Sequence, residues 1–394
     1  MKSLPLILFA LLWFGNSHAF PLPQQRSIMP YECLSCDNLP HDTLSMSWPI
    51  KGNLLPHVTK HQQTSRKYTV KASLKQLRSG VPIYTQAPGA IIRISPVNQT
   101  LVKPEFWIKN VHGINASLME VSSLFSKDEA LNNTPFAGNT SVLAELKPEI
   151  GAGELTISSN SVDKKNDDSQ FIIHVFDRNS TTELSIQTDK ARYYRGDELI
   201  ATIVLNDTAL DCPIDKLTVS LISPNGEITS LAATPLAPNI FQARTVLDSE
   251  INNQGANWYV EAAITSIVSD SIIKRQVHSA FSYTIPSGAV EDIAIDNPGS
   301  LSFSASIKVA TGSRYALSAI LFASDNQGKI YPIQTTQSSS WLSAGQHRIH
   351  FSFDSNIKTD YKAPYYLGYI RLTDFGQMKP VFEYDAPIEI TKLS

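Results

Sequence analysis

The stretch from 184 to 205 limits what this chain can fold into more than any other. It reads Leu-Ser-Ile-Gln-Thr-Asp-Lys-Ala-Arg-Tyr-Tyr-Arg-Gly-Asp-Glu-Leu-Ile-Ala-Thr-Ile-Val-Leu. Leu184 and Ile186 alternate with Ser185 and Gln187, the period of a half-buried strand. A polar turn follows and closes on Arg195-Gly196-Asp197, where Gly196 suits a backbone position of positive φ. Leu199 to Leu205 is then a run of mostly branched residues that fit a pleated surface.

The same grammar recurs along the chain. Tyr68, Val70, Ala72 and Leu74 alternate with Thr69, Lys71 and Ser73. Val81, Ile83 and Ala90 to Ile94 follow around an Ala87-Pro88-Gly89 turn, and strands resume at Leu155 to Ile157 and Phe171 to Phe176. One helix is expected, over 117–132, where Leu118, Val121, Leu124, Phe125 and Leu131 lie near helical spacing before Asn132-Asn133-Thr134-Pro135. In the next stretch Leu217, Val219 and Leu221 run into Pro224-Asn225-Gly226, a strong hairpin signal. Trp258 to Ile264 and Val277 to Ile285 supply two more strands. After Pro286-Ser287-Gly288, alternation returns at Leu301 to Val309, Arg314 to Phe322, His347 to Phe353, Tyr365 to Leu372 and Val381 to Ile390.

Short strands with turns every ~8–12 residues are the signature of sandwiches. The expected fold is all-β: tandem immunoglobulin-like sandwiches, an extended N-terminal arm and at most one short helix. The boundaries read from the pattern are a signal peptide at 1–19, an arm at 20–66, a β-rich domain at 67–180, and sandwiches at 181–288 and 289–394. Tyr31, Trp48 and Leu54-Leu55 are the arm residues expected to pack.

Residues 1–19 carry Lys2, an apolar run from Leu4 to Gly15, and Ser17-His18-Ala19 before Phe20, the layout of a secretory signal peptide. The run is too short for a membrane span of ~20 residues, and no lipobox stands at the cleavage point. An exported, soluble protein is expected, in the periplasm or the medium. Formal charge is −3 with no basic stripe, which argues against a nucleic-acid partner and against an electrostatic hold on anionic membranes.

Candidate chemistry is sparse. Cys33-Leu34-Ser35-Cys36 reads first as a disulfide in an oxidising compartment, leaving Cys212 over; a metal site or a redox pair remain the alternatives. Asp207, Asp211 and Asp215 are spaced like calcium-loop acids without the closing bidentate Glu, and Asp325-Asn326-Gln327-Gly328 holds half such a pattern. His347 and His350 fall on opposite faces of one strand and cannot share an ion. Arg195-Gly196-Asp197 spells an integrin tripeptide, yet it enters a strand and reads as turn chemistry. No nucleophile elbow, His-Glu-x-x-His or phosphate loop occurs, and no cofactor is expected. Aromatics are the better lead: Tyr361, Tyr365, Tyr366, Tyr369 and Tyr384 cluster late, with Tyr366 on the side opposite Tyr365 and Tyr369. Such surfaces suit carbohydrate or protein contacts.

The turn "Thr-Asp-Lys, Tyr, Arg-Gly-Asp-Glu, strand" resembles the opening of immunoglobulin-like domains of macroglobulins and bacterial surface proteins. A wider order of motifs runs from Ser79-Gly80-Val81-Pro82-Ile83 and Pro88-Gly89-Ala90-Ile91-Ile92-Arg93-Ile94 to Ser313-Arg314-Tyr315-Ala316-Leu317, then to Trp341 before Ala344-Gly345. It ends with His350-Phe351-Ser352-Phe353-Asp354 and Ala363-Pro364-Tyr365. In that order the chain resembles the secreted gamma-proteobacterial family catalogued as domain of unknown function 4785, known from Legionella and relatives. Its last unit is similar to immunoglobulin-like domains appended to extracellular proteases. The resemblance implies an exported sandwich protein and a type II secretion substrate; it brings no catalytic residues. The expectation is a monomeric, non-enzymatic binding protein for host or surface proteins or glycans. The alternatives are an accessory, inhibitor or propeptide-like protease component, and a metal-binding protein using the paired cysteines.

Overall fold

The computed structural model describes residues 22, 26–52, 54, 61–98, 104–127, 142–161, 164–207, 213–252, 254–268, 271–296, 301–355 and 362–393. The signal-peptide region lies outside them, as do Leu55, Asp211, Cys212 and Tyr361. The architecture is all-β: antiparallel sheets throughout, with one α-helix among the described residues. The chain divides into two compact units, one of residues 58–248 and 256–283, the other of 1–57, 249–255 and 284–394.

The first of these units holds two sandwiches. In one, a five-stranded sheet (Lys67–Ser73, Gln170–Phe176, Ile91–Pro96, Val142–Leu146, Ser122–Lys127) packs with a four-stranded one (Val81–Thr85, Gly153–Ser159, Phe106–Asn110, Asn115–Ser117). Their core is a single cluster that includes Ile83, Ile92, Ile94, Ile108, Ala144, Leu155, Phe171 and Ile173. In the other, five strands centred on Glu198–Asp207 face five centred on Trp258–Val268. Leu184, Ile186, Leu199, Ala201 and Ile203 are fully buried, as their alternation predicts. Pro224-Asn225-Gly226 closes the hairpin of Lys216–Ile222 with Ile228–Leu231, with Gly226 at φ +84 and donating to the Ser223 carbonyl at 2.9 Å.

The helix is not at 117–127, the described part of the predicted segment. It is Leu74–Ser79, where a capping box joins Ser73 and Gln76: the Gln76 amide donates to Ser73 Oγ at 3.2 Å and the Ser73 amide to Gln76 Oε1 at 2.8 Å. Leu74 and Leu77 are fully buried, which extends the local signal into a helix. Ser117 and Glu120 make the same reciprocal bonds. There the turn buries Leu118 and Val121 and the chain leaves as Ser122–Lys127, paired to Val142–Leu146. Packing decides between two equal local starts. Leu131 and the Asn132 to Pro135 stop lie outside the described residues.

The second unit is one sandwich. Gly288–Ile295, Ser302–Val309 and Gly345–Ser352 form a three-stranded sheet. Opposite it, the larger sheet runs Leu44–Pro49, Ile330–Leu342, Ser313–Ser324, Lys362–Asp374 and Lys379–Tyr384, with Ile388–Glu389 beside Lys362–Asp374. Phe303 and Phe351 stack at the centre of its core with Phe353 edge-on to both, among Tyr315, Leu317, Leu321, Leu367 and Leu372.

The arm is therefore more regular than its composition suggests. It supplies an edge strand to each unit, Leu44–Pro49 in one and His61–Ser65, beside Thr182–Thr188, in the other. Tyr31 is buried and Leu54 half-buried as expected, whereas Trp48 faces outward at 44% exposure.

Candidate binding face

The face of the larger sheet that points away from the Phe303–Phe351 core is built from residues alternate to the core ones. Pairing register places Leu44, Ser339 and Ala316 in one row, then Met46, Gln337, Ser318 and Arg371, then Trp48, Thr335 and Ile320. Phe322 and Tyr366 follow.

One end of this face is covered by arm residues 31–42, held as a clasp. Cys33 and Cys36 form a disulfide. Trp341 Nε1 donates to the Cys36 carbonyl at 3.1 Å, and His41 stacks on the Trp341 indole at 4.6 Å. Arg314, itself buried, donates to the Pro40 carbonyl, to the Asp42 carbonyl at 2.8 Å and to Ser339 Oγ at 2.8 Å. Tyr31 OH lies 3.6 Å from Cys36 Sγ. Beneath it Asp374 accepts from Ser287 Oγ and Ser313 Oγ, both at 2.6 Å, and from the Gly376 amide at 2.9 Å. Burial, and then the Asp374 carboxylate, push the Tyr31 and Tyr315 phenols far up, so both stay protonated donors. Gly376 sits directly under the clasp: a Cβ there would meet Tyr31 OH at 2.3 Å and Cys36 Sγ at 2.4 Å.

The rest of the face, half-buried at Ile320, Tyr366, Tyr369 and Arg371, carries the tyrosines. Strict alternation would put Tyr365 with Tyr369, but the register shifts between the Ser318–Arg371 and Ile320–Gly368 pairs, and Tyr369 takes φ +50. This bulge turns Tyr369 out to join Tyr366, while Tyr365 packs against the core with Tyr384. The Tyr369 ring lies 6.0 Å from Phe322, and the Arg371 guanidinium carbon stands 5.5 Å over it. Arg371 is fixed by Glu383 at 3.0 Å and Asp385 at 2.7 Å. The result is a half-buried aromatic patch with an oriented cation, bordered by the neutral polar groups of Thr335, Gln337 and Ser318.

The remaining candidates are absorbed by structure. Asp207 accepts from Thr182 Oγ1, and Asp215 from the Ile267 amide at 2.6 Å. Among the described residues no group of three His, Cys, Asp or Glu is arranged to hold a metal ion. His347 bonds the Ser343 carbonyl at 2.6 Å, and His350 pairs with Asp296 at 3.2 Å. In the Asp325 loop, one carboxylate oxygen caps the Gln327 and Lys329 amides. Asp197 of the integrin-like tripeptide is buried and accepts from the Tyr194 amide at 3.0 Å, with Gly196 at φ +90. The Thr-Asp-Lys pattern is explained likewise: Asp189 accepts from Tyr193 OH at 2.5 Å and from the Ile200 amide at 3.0 Å, locking the turn to its strand.

One polar centre leaves no trace in local sequence. In the unit of residues 58–248 and 256–283, Arg275 is the largest fully buried side chain. It donates to Asp177 at 2.8 Å, Gln86 Oε1 at 2.6 Å, Ser180 Oγ at 2.6 Å and the Thr182 carbonyl at 3.0 Å. Asp177 also accepts the Gln86 amide at 2.9 Å. Burial lowers the arginine's proton affinity and Asp177 offsets part of that cost, so the pair is an ionic hub between the unit's two sandwiches.

Three consecutive antiparallel sandwiches, the last of them clasped by an N-terminal arm, define a tandem immunoglobulin-like protein. Three domain families match along it: domain of unknown function (DUF4785) N-terminal domain over 35–177, central domain over 180–284 and C-terminal domain over 287–391. A crystal structure of a DUF4785 family protein from Legionella pneumophila subsp. pneumophila str. Philadelphia 1 is 36% identical. The match covers 95% of this chain and 100% of that chain, with a TM-score of 0.81. The chain belongs to the DUF4785 family. More distant likenesses include the native conformation of E. coli alpha-2-macroglobulin, 14% identical over 84% of this chain and 20% of that one, TM-score 0.30. A tetra-tandem repeat of a large adhesion protein is 11% identical over 84% and 74%, TM-score 0.19. No curated protein matches.

Proposed function

We propose that this is an exported, non-enzymatic interaction protein whose C-terminal sandwich presents a ligand face formed by Tyr366, Tyr369, Arg371 and Ile320. The observation that carries it is the bulge at Tyr369: it brings two tyrosines and a guanidinium held by two carboxylates onto one open sheet face. Aromatic rings beside a fixed cation and neutral hydroxyl and amide groups recognise protein surfaces or glycans. Export is supported by the signal-peptide layout of residues 1–19 and by the Cys33–Cys36 bond, which fits an oxidising compartment. Passage to the medium by type II secretion is supported by the family resemblance alone.

The test is a screen of the purified mature protein against bacterial and host glycans and surface-protein extracts, with Tyr369→Ala and Arg371→Ala alongside. Binding that drops at least ~10-fold in both variants, the scale of a lost hot spot, supports the face. Binding unchanged in both places the ligand elsewhere. Fractionation of expressing cells tests export, and retention of full-length precursor in the cytoplasm sinks it.

A further inference from the structure

Strand Leu44–Pro49 ends its sheet. It pairs with Ile330–Leu342 on one side, and among the described residues no strand pairs with its other side. A free strand edge is a row of main-chain donors and acceptors, and the group that matches such a row is another strand. Natural edges are usually guarded by charge, proline or a bulge. This one, Leu-Ser-Met-Ser-Trp-Pro, holds no charge, and its proline is the last residue.

Its side chains have a symmetry that selects the partner. Leu44, Met46 and Trp48 stand on one face, 52%, 64% and 44% exposed. The row is therefore apolar from either end about a centre at Met46, with Leu44 and Trp48 at its two ends. An acid, Asp42, precedes the strand and a base, Lys51, follows it, both exposed, although one Asp42 carboxylate oxygen also lies 3.5 Å from the Arg314 guanidinium. Antiparallel pairing of two copies brings Asp42 of one toward Lys51 of the other at both ends, whereas parallel pairing brings like charges together. Such self-complementarity about a two-fold axis is what an interface between identical chains requires.

We propose that the chain forms a two-fold dimer by antiparallel pairing of Leu44–Pro49 across the axis, with Met46 facing Met46 and Leu44 facing Trp48 of the second copy. Residues directly opposite share a face. The two larger sheets thus join into one, and their outer faces become continuous. Each dimer presents two copies of the Tyr366–Tyr369–Arg371 patch on one side. That bivalence rests on the ligand face proposed above; the dimer does not. Six-residue strands bury little area, so the dimer belongs to the weak, concentration-dependent class and gains effect chiefly on multivalent surfaces.

The experiment uses the intact mature chain in a Cys212→Ser background. Opposed Cα atoms lie ~4.5–5.5 Å apart in an antiparallel strand pair, within the ~4.4–6.8 Å that a disulfide spans. Met46→Cys is therefore expected to form a covalent dimer under mild oxidation at least ~10-fold faster than Leu44→Cys, whose partner residue across the pair is Trp48. Leu44→Cys/Trp48→Cys is expected to recover the fast rate. In sedimentation velocity without added cysteines, the average mass is expected to climb toward twice that of the monomer with concentration. Met46→Lys, an exposed change, is expected to hold it at the monomer. Equal cross-linking of Met46→Cys and Leu44→Cys overturns the register. A concentration series that stays monomeric, or a dimer that survives Met46→Lys, overturns the interface. A dimer that forms and binds no ligand instead counts against the proposed ligand face alone.

Discussion

Two regions of this protein fix one segment against another by opposite means. At the Arg275 hub a single guanidinium, side chain 1% exposed, meets a carboxylate that is 0% exposed, and Gln86, Ser180 and Thr182 close around them. At the clasp, arm residues 31–42 are held by a tight disulfide ring, an indole N–H, a stacked imidazole and several bonds from Arg314. A charge taken out of water has to be met completely, so the hub works as a whole or fails as a whole. The clasp divides its hold among contacts worth about 1 kcal/mol each, so losses there accumulate.

The largest effect follows from the hub. Arg275→Met leaves Asp177 buried without its cation, and Asp177→Ala leaves the guanidinium unmatched. Each is expected to cost about 3–5 kcal/mol, read as a fall in urea midpoint. Arg275→Met/Asp177→Ala together should cost clearly less than the two singles summed, because no uncompensated charge remains. Additive losses would mean that the pair is not a unit, and the contrast with the clasp would dissolve.

Gly376→Ala comes next. Its Cβ would press on Tyr31 OH, Cys36 Sγ and Ser313 Oγ at 2.3, 2.4 and 2.8 Å. Overpacking of this kind costs about 1–3 kcal/mol. The expected readout is faster proteolysis within the arm, with Tyr31→Phe in the same chain returning part of the protection. Cys33→Ser/Cys36→Ser should do less, about 2 kcal/mol at most, because the ring it opens spans four residues. If the double serine variant frees the arm more than Gly376→Ala, the disulfide carries the clasp and the shared-contact account is wrong.

The sequence conveyed the strands well and the sites poorly, for a physical reason. Alternation is local, so runs such as Leu184 to Ile186 and Phe303 to Val309 declare their buried face by themselves. Capping signals are local too, and they were ambiguous: Ser73–Gln76 and Ser117–Glu120 offer the same start, and only tertiary packing lets the first continue. The tyrosine patch was half visible. Its residues stand together in the chain, but the bulge at Tyr369 that decides which of them share a side is fixed by pairing with Ser313–Ser324. The hub was invisible, because Arg275 meets partners 93 to 189 positions away. Trp48 faces outward because the arm becomes an edge strand, one face of which no described residue buries.

The smallest prediction concerns pH and separates the two regions once more. His174 stands in the same unit as the hub, 2.8 Å from Arg93 Nη2 and beside the ring of Phe176. Burial first, then the charges of Arg93 and Lys67, hold its pKa down at about 4, against 6.5 for a free imidazole. As pH falls from 6.5, the unfolded chain takes up this proton before the folded one does. The imidazole's contribution is therefore complete above pH 6.5 and lost progressively on the way to pH 4. His174→Gln removes the titrating group and keeps a polar side chain. Urea midpoints of wild type and variant should differ by a constant above pH 6.5, and the variant should lose less on going to pH 5. Carboxylates that titrate in the same range are common to both chains and cancel in the comparison. Parallel pH curves would mean that the imidazole beside Arg93 is solvated enough to titrate normally. The acid sensitivity of this unit would then have to come from its carboxylates.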